Sequence, residues 1–71
     1  MAFETIQDII ANRTDIDRDD ITSDTDLRKD LGVDSLDLFQ IMTDVEDEFG
    51  IDIDSPGDLR TVQDLVDLAE A

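Results

Sequence analysis

The chain contains no cysteine and no histidine. Without cysteine it has neither a disulfide framework nor a thiolate metal site. Without histidine as well, zinc sites are nearly excluded. The missing imidazole also removes the usual general base for a serine nucleophile. No catalytic residue is therefore assigned, and the chain does not read as an enzyme. No apolar run approaches the ~18 residues that a membrane span needs. Residues 1–12 lack a basic n-region and a long apolar stretch, so they do not read as a signal peptide. A cytoplasmic protein is expected.

Positive charge is scarce: five bases stand against 21 acids, a net charge of −16. From Asp30 to Leu59 there is no Lys or Arg, and the ten acids there are Asp30, Asp34, Asp37, Asp44, Glu46, Asp47, Glu48, Asp52, Asp54 and Asp58. Phosphate binding needs a basic face, which argues against nucleic acid as a partner. A basic protein surface is the natural partner. Self-repulsion opposes compaction, so stability is expected to rise with salt or divalent cations.

Low aromatic content and high acidity are also the composition of disordered chains. Here, however, 39% of the residues are apolar, and they recur at helical spacing. Seventy-one residues fit one small domain, residues 1–71, with no room for a deep active site and its supporting shell. No repeat, low-complexity tract or internal boundary is visible.

A first helix is predicted from about Phe3 to Asn12, with Phe3, Ile6 and Ile10 as its buried stripe and Ile9 beside it. Residues 13–34 read as a long connection rich in Asp and Thr. Loops this long are uncommon unless functional or pinned, and Ile16, Ile21, Leu27, Leu31 and Val33 are placed to pin it. Gly32 permits a tight turn. A second helix is predicted from Ser35 to Phe49, with Asp34 as N-cap, Asp37 in a capping-box-like position and Gly50 as the stop. Leu38, Ile41, Met42, Val45 and Phe49 form its inner stripe, which leaves Leu36 and Phe39 exposed. Ile51 to Asp54 alternate like a strand, but one strand with nothing to pair is better read as an extended connection. Ser55 and Pro56 then open a short turn of helix ending near Arg60. Thr61 caps a last helix that runs to about Glu70 and buries Val62, Leu65, Val66 and Ala69. The fold class is all-α: a small bundle of three main helices plus one short helix.

The functional signal centres on Ser35. Serine is common at helix starts as a cap, but here Asp34 does the capping and Ser35 falls at the first helical position with its hydroxyl free. A phosphate joined to it would lie beside unsatisfied N–H groups and the positive end of the helix dipole. The position suits a phosphodiester attachment better than nucleophilic catalysis. The acids Asp37, Asp44, Glu46, Asp47 and Glu48 are not interleaved with bases, as i,i+4 pairing would favour. They surround the surplus apolar residues Leu36 and Phe39, a pattern that suits docking to a basic partner with an apolar slot.

These residues carry a family resemblance. The run Asp30-Leu31-Gly32-Val33-Asp34-Ser35-Leu36-Asp37 is similar to the attachment motif of acyl carrier proteins of the type II fatty-acid synthesis kind. Val45-Glu46-Asp47-Glu48-Phe49 resembles the family's trailing signature, and Thr61-Val62-Gln63-Asp64-Leu65 the opening of its last helix. The likeness covers essentially the whole chain. It implies that Ser35 carries 4′-phosphopantetheine, with Asp34 and Leu36 beside it, and that the arm's thiol holds acyl chains as thioesters. It implies a recognition helix from Ser35 to Phe49. Leu36, Gln40, Glu46 and Asp47 match positions where the family meets its enzymes; with Asp37, Phe39 and Asp44 of the same acidic, apolar face they are expected to meet the basic surfaces of fatty-acid synthesis enzymes and of a phosphopantetheinyl transferase. Ile41, Val45, Phe49, Ile53 and Val62 would line an acyl cleft. A monomer is expected.

The sequence also departs from the family pattern. Asp54 stands where proline is common, and the 54–60 segment is shorter than in common members. Gln40 replaces a glutamate, and Thr14-Asp15 replaces an apolar-glycine pair. Arg28-Lys29 bring positive charge just before the motif, either balanced locally by Asp30 and Asp34, or altering which partners dock, or simply exposed. Other readings remain open: a carrier for polyketide, peptide or specialised-lipid synthesis, or an unmodified acidic adaptor. A calcium loop at Asp15-Ile16-Asp17-Arg18-Asp19 fits poorly, because Asp20 and Asp26 occupy the places of the glycine and the bidentate glutamate. No metal site is assigned.

Overall fold

The computed structural model describes residues 2–54 and 56–71. Three α-helices dominate: α1 (Ala2–Arg13), α2 (Ser35–Phe49) and α3 (Val62–Glu70). One-turn 3₁₀ segments lie at Arg18–Asp20 and Pro56–Asp58. The all-α class and the three main helices are as the sequence pattern predicts, with α1 one residue longer at each end than the expected span.

The helix ends follow from local chemistry. Asp34 Oδ1 accepts the Asp37 N–H at 2.9 Å, which satisfies one orphan donor at the start of α2. Gly50 closes α2 in the left-handed region (φ 65°), and its N–H reaches the Glu46 carbonyl. At α3 a full capping box forms: Thr61 caps the Asp64 N–H and Asp64 reaches back to the Thr61 N–H. Gly32 also has positive φ (62°), the turn conformation that only glycine adopts without strain.

The buried apolar residues form one cluster. Ile6 and Ile10 of α1, Leu38, Ile41, Met42 and Val45 of α2, and Val62, Leu65 and Val66 of α3 meet at its centre. Phe3, Ile9, Phe49 and Ala69, predicted as core, pack against it half-buried. The long connection is pinned as its spacing predicts. Ile21, Leu27 and Leu31 are buried in the same cluster, and Ile16 and Val33 pack at its edge. Burying each such side chain contributes about 1.5–3 kcal/mol, which is what allows a loop of this length to stay ordered.

Two features of the connection were not legible in advance. The first is its strapping to α1. Gln7 Nε2 donates to the carbonyls of Ile21 (2.7 Å) and Arg18 (3.2 Å), and Arg18 pairs with Asp8 at 2.6 Å. Arg18 therefore sits in an ion pair within the segment that superficially resembled a calcium loop. The second is an antiparallel bridge between Asp26 and Thr61. Leu27 N–H donates to the Arg60 carbonyl (2.7 Å), Val62 N–H to Thr25 (3.1 Å) and Gln63 N–H to Ser23 (3.0 Å). The short helical turn ends at Asp58, two residues before the expected Arg60, and Leu59 and Arg60 lead irregularly into the bridge at Thr61. The expected N-cap Ser55 lies outside the described residues.

Candidate functional site

Ser35 is the first residue of α2 and is exposed. Because the Asp34 carboxylate makes the capping bond, the Ser35 hydroxyl makes no hydrogen bond among the described residues. It is an accessible hydroxyl at the positive end of a 15-residue helix. Helix N-termini present unsatisfied backbone N–H groups and a positive partial charge, so this hydroxyl lies where negative charge is favoured.

Next to it stand the two large apolar side chains that the sequence leaves over. Leu36 is 68% and Phe39 60% exposed. Ser35 and Phe39 also share a groove of about 180 Å³ with Leu38, Met42, Gly57 and Arg28. Leu38, Phe39 and Met42 lie at i+3, i+4 and i+7 from Ser35, so helix periodicity puts all four on one face. That signal is present in the sequence, where Leu38 and Met42 also read as part of the inner stripe. They are buried and form the floor of the groove.

The predicted docking residues divide into two groups. Leu36, Asp37, Phe39 and Asp47 are exposed, whereas Gln40, Asp44 and Glu46 are half-buried. Asp44 is engaged with α1: Arg13 Nε donates to its Oδ2 at 2.8 Å and Nη2 to its Oδ1 at 3.2 Å. The hydrogen bond and charge of Asp44 hold the Arg13 guanidinium above its ordinary pKa. Glu46 Oε2 accepts the Ile53 N–H at 2.7 Å. Both acids therefore have structural partners that sequence separation concealed.

The five predicted acyl-cleft residues converge on the core. Ile41, Val45 and Val62 are fully buried, and Phe49 and Ile53 pack half-buried at its margin.

Arg28-Lys29 are exposed, but Arg28 is not paired with Asp30 or Asp34. Its Nη1 donates to the Leu59 carbonyl at 3.2 Å, across the interface between the connection and the entry to α3. The turn that carries it is built by Asp26, whose Oδ1 accepts the N–H groups of Arg28 and Lys29, each at 2.8 Å. Those bonds, Lys29's first, hold the Asp26 carboxyl below its ordinary pKa.

No group of His, Cys, Asp and Glu side chains among the described residues is arranged to hold a metal ion. No helix among them is long and apolar enough to cross a membrane.

The start of α2 thus presents a free serine hydroxyl at a capped helix end, flanked by acids and exposed apolar residues. The family model for the phosphopantetheine attachment site matches residues 4–70. The acyl carrier protein of Lactococcus lactis subsp. cremoris (strain MG1363) is 44% identical over 68 residues, covering 96% of this chain and 92% of that one. The acyl carrier protein of Streptococcus pneumoniae serotype 4 is 43% identical over 68 residues (96% and 90% covered). That of Trieres chinensis is 38% identical over 71 residues (97% and 89%). The chain belongs to the phosphopantetheine-attachment family, together with the acyl carrier proteins it is similar to. The prosthetic group of that family is 4′-phosphopantetheine.

Proposed function

We infer that this chain is an acyl carrier rather than a catalyst, and that Ser35 is the residue that bears 4′-phosphopantetheine through a phosphodiester. The observation that carries the reading is the hydroxyl left free at the first position of α2 by the Asp34 cap. When bound, the arm supplies the thiol that the sequence lacks and holds an acyl chain as a thioester. The first turn of α2 offers the phosphate backbone donors and the helix dipole.

The acids and apolar residues of α2 form the docking face for synthesis enzymes with basic surfaces and for the phosphopantetheinyl transferase. Fatty-acid synthesis is the pathway that the strongly acidic helix and the attachment octamer favour. Leu36 and Phe39 supply apolar contact, while Asp37 and Asp47 supply orientation and association rate. An acyl chain gains by leaving water. Its shelter is the interhelical space around Ile41, Val45, Phe49, Ile53 and Val62, which opens by separation of the packed helices. The module acts as one monomeric domain in the cytoplasm.

The test is intact mass after incubation with coenzyme A and a phosphopantetheinyl transferase. Wild type should gain one pantetheinyl adduct and Ser35→Ala none. An unmodified wild type, or a modified Ser35→Ala, would overturn the reading.

A further inference from the structure

The chain has five basic residues. Two are neutralised within the bundle: Arg13 by Asp44, and Arg18 by Asp8 and Glu4. The other three, Arg28, Lys29 and Arg60, line one concavity together with Asp26. None of them makes an ion pair among the described residues. In a chain of net charge −16, such a patch stands out, and it adjoins the attachment serine. Arg28 lines both this concavity and the groove that contains Ser35, Leu38, Phe39 and Met42, where it is the one basic residue.

The position of Arg28 is held from two sides. Asp26 fixes its backbone N–H, and the Leu59 carbonyl takes one guanidinium donor. A guanidinium carries five N–H donors in a rigid fork, so the remaining ones stay available to a ligand in the groove. Meanwhile Asp34 and Asp37 flank Ser35 and would repel any anion placed on it. A phosphodiester carries a negative charge throughout the physiological pH range, and a nearby guanidinium offsets the repulsion from those two acids.

We propose that Arg28 is a positioning residue for the phosphodiester on Ser35. Its guanidinium takes a non-bridging phosphate oxygen and so lays the arm along Leu38, Phe39 and Met42 instead of leaving it in solvent. Arg–phosphate hydrogen bonds are charge-assisted and directional, which distinguishes this role from the diffuse field of neighbouring Lys29. The proposal rests on the reading of Ser35 as the attachment residue.

The experiment uses full-length protein loaded with coenzyme A and a phosphopantetheinyl transferase, with the adduct verified by mass. Phosphorus NMR then reads the phosphodiester, and cross-peaks between the arm's methyl groups and Phe39 or Met42 read its path. In wild type the Arg28 Nε–Hε signal should move between the unloaded and loaded forms, a readout that needs no variant. Arg28→Gln should shift the phosphorus line toward that of a free phosphodiester and erase the cross-peaks. Arg28→Lys should recover part of both, and Lys29→Gln should leave both in place. An unmoved Arg28 signal, or an Arg28→Gln spectrum like wild type, overturns the proposal while the adduct leaves the attachment reading intact. A Lys29→Gln effect as large as that of Arg28→Gln also overturns it, because a general field is then acting. A wild type that gains no adduct overturns both.

Discussion

Oε2 of Glu46 accepts the backbone N–H of Ile53 at 2.7 Å. The carbonyl of the same residue receives the N–H groups of Gly50 and Ile51. One acid of α2, the proposed docking helix, thus organises the reversal after that helix and fixes the segment bearing a proposed acyl-cleft residue. Structure and docking are mixed at this position, and two substitutions separate them. Glu46→Ala leaves the part-buried Ile53 N–H without its acceptor and should cost about 1–3 kcal/mol in urea unfolding. Glu46→Gln keeps an oxygen acceptor and should retain most of the stability while losing the charge proposed for docking. Equal losses for the two variants would show that charge, not the hydrogen bond, holds the reversal.

Asp47 is the cleaner probe of docking, because its side chain is exposed and makes no bond to the fold among the described residues. Asp47→Lys should leave the unfolding midpoint nearly unchanged. It should slow association with a basic partner enzyme, by up to about tenfold at low salt, and flatten the dependence of the rate on ionic strength. Stopped-flow association across a salt series measures both. An unaltered salt slope would remove the acidic face from the encounter.

Asp64 links acidity to stability. The N–H of Arg60, then that of Thr61, donates to its carboxylate and holds its pKa below the ordinary 3.8. A carboxylate depressed in the folded state contributes stability that is present above the unfolded value and lost as pH falls through the folded one. Asp64→Asn should therefore be less stable than wild type at neutral pH. The gap should close as the pH drops below about 4, where wild type acquires the proton and comes to resemble the amide. Chemical unfolding of both proteins from pH 7 to pH 2 gives the difference. A gap that persists at the acid end would contradict the capping role of the charge.

Salt should stabilise the fold. Sixteen surplus negative charges repel one another, whereas the ion pairs among the described residues involve only Arg13 and Arg18. Screening weakens both effects, and the larger number of repulsions decides the sign. The thermal midpoint should rise from low salt to about 1 M, where the Debye length falls to about 3 Å. The Asp44→Asn variant, which lacks its pair with Arg13, should rise more steeply than wild type. A falling midpoint would mean that the few ion pairs outweigh the net charge.

The helices were legible because their signals are local. Apolar periodicity, Asp34 and Thr61 as caps, and Gly50 as a stop all act within a few residues of the chain, and α2 has the bounds that these signals set. The exposure of Leu36 and Phe39 was likewise readable, since one helix face cannot bury every apolar residue of α2. The pairing of residues 23–27 with residues 60–63 was not legible, because no side-chain pattern marks backbone groups that find each other across the fold. Helix periodicity puts Leu38 and Met42 on the Ser35 face, but that Gly57 and Arg28 join them in one groove emerges only from the fold.

By itself, the sequence determined the net charge, the absence of thiol and imidazole, the helical segments and the octamer around Ser35. Each of these is a matter of residue identity and short-range geometry. Only the tertiary structure decided which charges are neutralised. Arg13 meets Asp44, Arg18 meets Asp8, and Arg28 is turned instead to the Leu59 carbonyl at the edge of the serine groove. The physical reason is distance: Coulomb and hydrogen-bond energies depend on separation in space. The packing of the helices sets that separation for residues far apart in the chain.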